Sequence, residues 1–476
     1  MGNNRRNFLK KTAMAGLGAS LLTIGSESYA GESDTLPTSP GKKDHRAKYE
    51  KDPAKIYMGF IGVGLRGEEH IRNAMNIEGV EITAICDIDP ERIRIAQELI
   101  ASGGRKPAEA YTDGDYAFKE MLGRGDLDAV IIATPWEWHA PMAVASMKAG
   151  VYTGVEVSAA NTLEECWDLV NTHEQTGSHV MILENVCYRR DVMAVLNMVR
   201  SGLFGEILHG RCGYEHDLRQ VKFNNGKGPY GGGVEFGEKA NSEARWRTQH
   251  SVRRNGDLYP THGMGPVAAC LNINTGNRFL TISSLATKTR GLHKYIVDTA
   301  GPGHPNASVV FNLGDIVTSM IHCANGETII VTHDTNNPRP YSLGFRIQGT
   351  KGLWSNEGDA IYIEGKSAKR SEWDNAEEWL KKYDHKLWRD LESKAAGAGH
   401  GGMDYMLMYD FTEAVRNKRP TPLDAYDAAA WSAISNLSEM SVSKGGTPVD
   451  FPDFTRGQWI KRKPSFALDE KFPASE

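Results

Sequence analysis

The stretch that most constrains the fold is short. An apolar run from Ile56 to Ile61 stops at Gly62-Val63-Gly64-Leu65-Arg66-Gly67, a helical pattern follows through Ile77, and a second β-rich run from Val80 to Cys86 ends at Asp87, 20 residues beyond Gly67. Three glycines at this spacing between a strand and a helix have separate tasks. The first makes a tight turn, the second lets the backbone approach a pyrophosphate, and the third lets the helix pack closely on the strand. The helix N-terminus then faces the phosphates. An acid at the end of the second strand accepts hydrogen bonds from ribose hydroxyls and repels a 2′-phosphate, so Asp87 points to NAD rather than NADP.

The alternation continues. Apolar strands are expected at Ala129 to Ala133, Val151 to Val155 and Val180 to Leu183, with helices starting near His139 and spanning Leu163 to Thr176. Strands alternating with helices predict an α/β fold, an N-terminal Rossmann doubly wound parallel sheet. Ligands in such sheets bind outside the carboxyl ends of the strands, which here read Thr134-Pro135-Trp136-Glu137-Trp138-His139, Glu156-Val157-Ser158 and Glu184-Asn185. After Asn185 the periodicity changes. A helix from Asp191 to Ser201 leads into β-type runs at Ile207 to Tyr214, Phe279 to Leu285, Val309 to Phe311, Val317 to His322, Thr328 to Thr332 and Leu343 to Gln348. These predict a C-terminal α+β domain with a mainly antiparallel open sheet. Residues 364–394, with Trp373, Trp379 and Trp388 among many charges, are expected to form an amphipathic helical surface insertion. His400 is expected at the start of the final helices, as a cap or a pocket residue.

The N-terminus differs in kind. Asn4-Arg5-Arg6-Asn7-Phe8-Leu9-Lys10 precedes a weakly apolar stretch from Ala13 to Gly25, and Ser28-Tyr29-Ala30 supplies small residues for a signal peptidase. The pattern is similar to a twin-arginine signal peptide over residues 1–30, which implies export to the periplasm or beyond by the twin-arginine machinery, with no lipid or membrane anchor. Residues 31–54 read as a polar linker arm, 55–186 as the NAD-binding Rossmann domain, and 187–476 as the substrate and oligomerisation domain. The six cysteines show no metal-ligand spacing, so neither zinc nor a disulfide framework is expected, and no metal site is assigned. With 55 Lys and Arg against 60 Asp and Glu, no cationic field exists to gather nucleic acid.

A Rossmann half followed by such a sheet, with Glu156 ending the next-to-last strand of the first half, resembles the Gfo/Idh/MocA oxidoreductase family. Many dehydrogenases of that family carry Glu-Lys-Pro at this strand end, the lysine being the catalytic acid/base. Here Val157 stands in its place and cannot move a proton. The motifs Trp136-Glu137-Trp138-His139, Gly213 to Arg219, Arg245-Trp246-Arg247, Asn255 to Gly263 and Asn337-Pro338-Arg339-Pro340-Tyr341 together resemble glycoside hydrolase family 109. That resemblance implies an α-N-acetylgalactosaminidase with tightly bound NAD. It assigns NAD contacts to Leu65 and Arg66 beside the glycines, Asp87, Trp136, Glu137, Trp138, His139, Glu156, Val157 and Asn185, and substrate contacts to Tyr214, Arg247, Tyr259, Pro260, Thr261, His262 and Tyr341.

The implied chemistry is a redox-neutral hydrolysis, an exception to the usual two-carboxylate scheme. Hydride leaves sugar C3, the C2 proton becomes acidic, the C1 leaving group is eliminated, water adds, and the hydride returns. His262 is the expected principal base, because imidazole exchanges protons near neutral pH. Tyr259 and Tyr214 are expected to hydrogen-bond hydroxyls or relay protons, and Glu156 to hold water or position the nicotinamide. Two other classes fit the same fold: a net sugar or cyclitol dehydrogenase, and a non-catalytic NAD-containing carbohydrate-binding protein. A homo-oligomer through the second sheet is a further expectation.

Overall fold

The computed structural model describes residues 51–473. The expected export segment and most of the linker arm lie outside the described residues. From Ile56 the chain builds six parallel strands, β1 (Ile56–Ile61), β2 (Val80–Cys86), β3 (Glu109–Tyr111), β4 (Ala129–Ile132), β5 (Tyr152–Val155) and β6 (Val180–Ile182), in the order β3-β2-β1-β4-β5-β6. Central strands β1 and β4 are almost wholly buried, as continuous apolar runs covered by helices on both faces must be. The order reverses between β1 and β4, which opens a crevice at their carboxyl ends.

Nine more strands form a second sheet: β7 (Ile207–Glu215), β8 (Phe279–Ala286), β9 (Ile316–Cys323), β10 (Thr328–Asp334), β11 (Arg346–Gly349), β12 (Gly352–Ser355), β13 (Ala360–Ile363), β14 (Asp374–Asn375) and β15 (Val449–Asp450), in the order β14-β13-β12-β11-β7-β10-β9-β8-β15. Every neighbouring pair is antiparallel except β7 with β10. Burial alternates residue by residue along β9, so one face is covered and one is open. The covered face carries the Thr261–Cys270 helix on β7 and the Ala425–Ser443 helix on β8. Among the described residues no helix is long and apolar enough to cross a membrane.

Three expectations fail. The helix expected near His139 starts at Trp136, because Pro135 ends the strand exit in an extended conformation and the next residue is already helical; Trp136, Glu137, Trp138 and His139 therefore share its first turn. The run Val309 to Phe311 is not a strand. Its apolar character serves a satellite cluster in which Phe311 packs with Phe223, Val234, Leu292 and Ile296. Residues 364–394 are not one surface helix: β14 pairs with β13, and the helices Glu377–Lys382 and Lys386–Ala395 follow. Trp388 is buried, its indole N–H donating to the Tyr188 carbonyl at 2.8 Å, while Trp373 is exposed.

Candidate active site

A cleft of about 740 Å³ runs from the glycine turn to the inner end of the second sheet. Its first half is shaped by backbone. Gly62 has φ +80°, and a Cβ there would meet the Ala133 carbonyl oxygen at 2.6 Å; one at Gly67 would meet the Gly62 carbonyl oxygen at 2.1 Å. Gly64 lines the cleft, and a Cβ there would meet nothing within 4 Å. The turn thus has one open side, at the glycine that lets a pyrophosphate approach the helix start. Asp87 accepts from the Val63 N–H at 2.8 Å and the Asp89 N–H at 2.9 Å, which fixes its carboxylate at the cleft wall; burial pushes its pKa up. The open turn and the acid beside it fit NAD.

The strand-end residues divide into those facing the cleft and those holding it. Trp136, Trp138, His139, Glu156, Val157 and Asn185 all line it. Trp138 packs edge-on against Tyr116, and Glu137 lies 3.0 Å from His250. The His139 ring nitrogens lie against the Thr134 carbonyl at 2.8 Å and the Ser158 carbonyl at 2.7 Å, so this buried imidazole ties the ends of β4 and β5 together. Burial holds its pKa down.

Arg66 is a hub. Its Nε donates to Glu156 Oε1 at 2.5 Å, its Nη1 to Glu69 at 2.7 Å and to Asp404 Oδ2 at 2.8 Å, and its Nη2 to Asp404 Oδ1 at 3.1 Å. Asn185 Nδ2 donates to the same Asp404 carboxylate at 2.7 Å, as does His400 Nδ1. His70 Nε2 donates to Glu156 at 2.7 Å. Burial alone would raise the pKa of Glu156, but Arg66 and His70 overcome it and hold this carboxylate far below its ordinary range. Glu156 is therefore a fixed negative charge, which suits positioning and not proton transfer. Glu69, His400 and Asp404 bring ligand atoms within 4.8 Å of one another, a grouping that could serve a cation. Arg66 supplies the positive charge there.

The other end of the cleft is aromatic. Arg247 lies over the Trp136 ring at 5.0 Å and the Tyr259 ring at 4.9 Å, with Glu243 pairing its Nη1. Trp246 packs edge-on against Trp136. Tyr214 lies 4.7 Å from Tyr259, 5.3 Å from His262 and 6.3 Å from Tyr341, ring centre to ring centre. Burial pushes the Tyr214 phenol up to about 12 and the Tyr259 phenol well above its ordinary value, so both stay protonated at neutral pH. His262 sits in the first turn of the Thr261–Cys270 helix. That helix approaches β7 closely at Gly263, where a Cβ would meet the Gly213 nitrogen at 2.6 Å, and this brings the imidazole beside Tyr214.

Tyr214, Arg247, Tyr259 and His262 line one cleft; Pro260 and Thr261 do not. Pro260 caps the helix, and Thr261 is buried at its first position. Tyr341 does not line the cleft either: it stands half exposed, packed edge-on against His216, with its ring 6.3 Å from that of Tyr214. Some partnerships in the site are not legible in the sequence. Glu184 meets His262 Nδ1 at 2.7 Å from 78 positions upstream, and Asp404 meets Arg66 from 338 positions downstream. The strand end Glu184-Asn185 and the segment around His400 were local signals, but their partners are set by the tertiary fold. Tyr230 and Glu243, on the long irregular segment after Phe223, also line the cleft.

A parallel dinucleotide-binding sheet with this glycine turn, followed by an open antiparallel sheet that closes the cleft, defines an NAD-binding protein of the Gfo/Idh/MocA class. Residues 56–183 match the model for the oxidoreductase family with NAD-binding Rossmann fold, and residues 188–461 match that for the glycosyl hydrolase 109 C-terminal domain. The chain belongs to glycosyl hydrolase family 109. It is 62% identical over 473 residues to a glycosyl hydrolase family 109 protein of Parabacteroides distasonis, covering 98% of this chain and all of that one. It is 61% identical to an α-N-acetylgalactosaminidase of Tannerella forsythia, again over 98% of this chain and all of the relative. Among solved structures, levoglucosan dehydrogenase in complex with NADH and L-sorbose superposes with a TM-score of 0.62 at 21% identity, covering 84% of this chain and 100% of that one. That likeness shows the fold.

Proposed function

We propose that this protein hydrolyses terminal α-N-acetylgalactosaminides, with NAD held throughout the turnover. The observation that carries the reading is the placement of His262 in an aromatic, arginine-lined cleft end whose strand exit bears Val157 in place of a proton-transferring lysine. The relatives' names support the substrate class. NAD bound along the glycine turn supplies a hydride acceptor able to return what it takes within one cycle.

The chain's own residues do the rest. His262 turns Nδ1 toward Glu184 and leaves Nε2 for the cleft, where it takes the proton from sugar C2 and later returns one. Tyr214 and Tyr259, protonated throughout, donate hydrogen bonds to ring hydroxyls and supply flat faces for the sugar to pack on. Arg247, which lines the cleft, offers guanidinium N–H donors to the acetamido carbonyl or a hydroxyl, while Glu243 and the two rings hold the group flat against the wall. Tyr341 covers the sugar at the rim. Glu156, with Arg66, fixes charge at the nicotinamide end.

The deciding experiment is an aryl α-N-acetylgalactosaminide incubated with the purified protein in D2O, with no cofactor added. Aryl release with deuterium at sugar C2 is expected. No release, with NADH formed from free sugar and added NAD+, would make the protein a net dehydrogenase.

We infer export by the twin-arginine route, supported by the Arg5-Arg6 run; a reporter fused after residue 30 should lose export when both arginines become lysine. We also infer a homo-oligomer through the open face of the second sheet. There Met320 and Leu285, on paired strands β9 and β8, are exposed, and such apolar faces are commonly covered. Sedimentation of the protein as a monomer at micromolar concentration would remove that reading.

A further inference from the structure

We propose that Glu184 is the positioning residue of the reaction: it fixes the proton of His262 on Nδ1 and so keeps Nε2 bare as the base. The inference deepens the glycosidase reading and rests on it. Glu184 follows β6 and is fully buried, an unusual place for a carboxylate. Its Oε1 accepts from the Val186 N–H at 3.1 Å and lies 2.7 Å from His262 Nδ1; its Oε2 has no hydrogen-bond partner among the described residues. A carboxylate without a proton only accepts, so the contact places the imidazole proton on Nδ1. The acid thus orients the ring, selects its tautomer, and stabilises the imidazolium once Nε2 has taken a proton. The same logic underlies carboxylate–histidine pairs in hydrolases of unrelated folds.

Among the described residues, the surroundings leave this task to Glu184. The groups facing the imidazole are Tyr214 from β7, His216 just beyond that strand, and Tyr259 from its own loop with Arg247 beyond it. Tyr214 donates to or accepts from His216 Nδ1 at 3.1 Å and faces the His262 ring by its edge. Neither tyrosine makes a hydrogen bond to Nδ1. The Glu156 carboxylate is taken by Arg66 and His70.

Two measurements test the proposal. Nitrogen-15 NMR of histidine-labelled wild-type protein should show the neutral His262 ring protonated on Nδ1; a proton on Nε2 would overturn the proposal without any variant. Glu184→Gln, which keeps the volume but lets the amide donate to Nδ1, should move the ring proton toward Nε2. It should lower kcat roughly a hundred- to ten-thousand-fold with KM within about threefold and NAD retained, and Glu184→Asp should recover part of the rate. A Glu184→Gln protein with the proton still on Nδ1 and kcat within about threefold of wild type would also overturn it. If wild type releases no aryl group the glycosidase reading fails, whereas the tautomer comparison still judges Glu184.

Discussion

At the scale of single residues, the site separates groups that exchange protons from groups that hold position. His262→Ala should abolish aryl release while leaving NAD bound, measured by the absorbance of the isolated protein; retained turnover would remove His262 from its role. Asp257 illustrates the opposite kind. Its Oδ1 accepts from the Tyr259 N–H at 3.0 Å, its Oδ2 has no partner among the described residues, and burial pushes its pKa from an ordinary 3.8 to about 7. Between those values the folded state holds a proton that the unfolded state has lost, so stability from this group falls as pH rises from 4 to 7. Asp257→Asn, whose amide oxygen can still accept from Tyr259, should therefore raise Tm at pH 8, by an amount equivalent to at most about 4 kcal/mol. The gain should shrink toward pH 4, and equal gains at both values would contradict the argument. The residues most legible in the sequence were those whose task is local: Asp87 at a strand end, the glycines in their turn, His262 within a motif. Glu184 stands at a legible strand end, but its pairing with His262 and that of Asp404 with Arg66 are not legible, because a buried acid's role is recognisable only by the partner that the fold brings to it.

At the scale of elements, the glycine turn makes a sharp pair of predictions. Gly67→Ala would force a Cβ to 2.1 Å from the Gly62 carbonyl and should cost about 3 kcal/mol or more in a thermal melt. Gly64→Ala meets no protein atom, so it should leave the melt of NAD-free protein unchanged while abolishing NAD retention. Equal damage to both would mean that the open side of the turn is not where the pyrophosphate lies. Elements with strong end signals are the most legible in the sequence. The helix Leu163–Thr176 was expected with these bounds, and Thr162 and Glu165 form a reciprocal cap at its start. Val309 to Phe311 misled because a short apolar run has the same composition whether it joins a sheet or plugs a satellite core. The hairpin strands β12 to β14 are two to four residues long, too short for alternation to stand out.

At the scale of the whole molecule, Asp404 binds the last third of the chain to the first turn of the cofactor domain. Burial alone would raise its pKa, but His400 and Arg66 hold it far below its ordinary 3.8. The stability it contributes is therefore present above about pH 4 and lost as pH falls below it. Asp404→Asn should lose about 3 kcal/mol at pH 7, and its melting temperature should converge on that of wild type in acid; a constant gap across pH 3 to 7 would show that the charge is not what matters. The separation of 338 residues between Arg66 and Asp404 has a consequence in time. At about 5 to 20 residues per second a ribosome takes roughly 20 to 70 s to travel from one to the other. Through that interval the glycine turn can already exist while its arginine lacks the acid that will hold it. The nascent Rossmann half should therefore grip its dinucleotide weakly, and firm capture should wait for the final helices to dock.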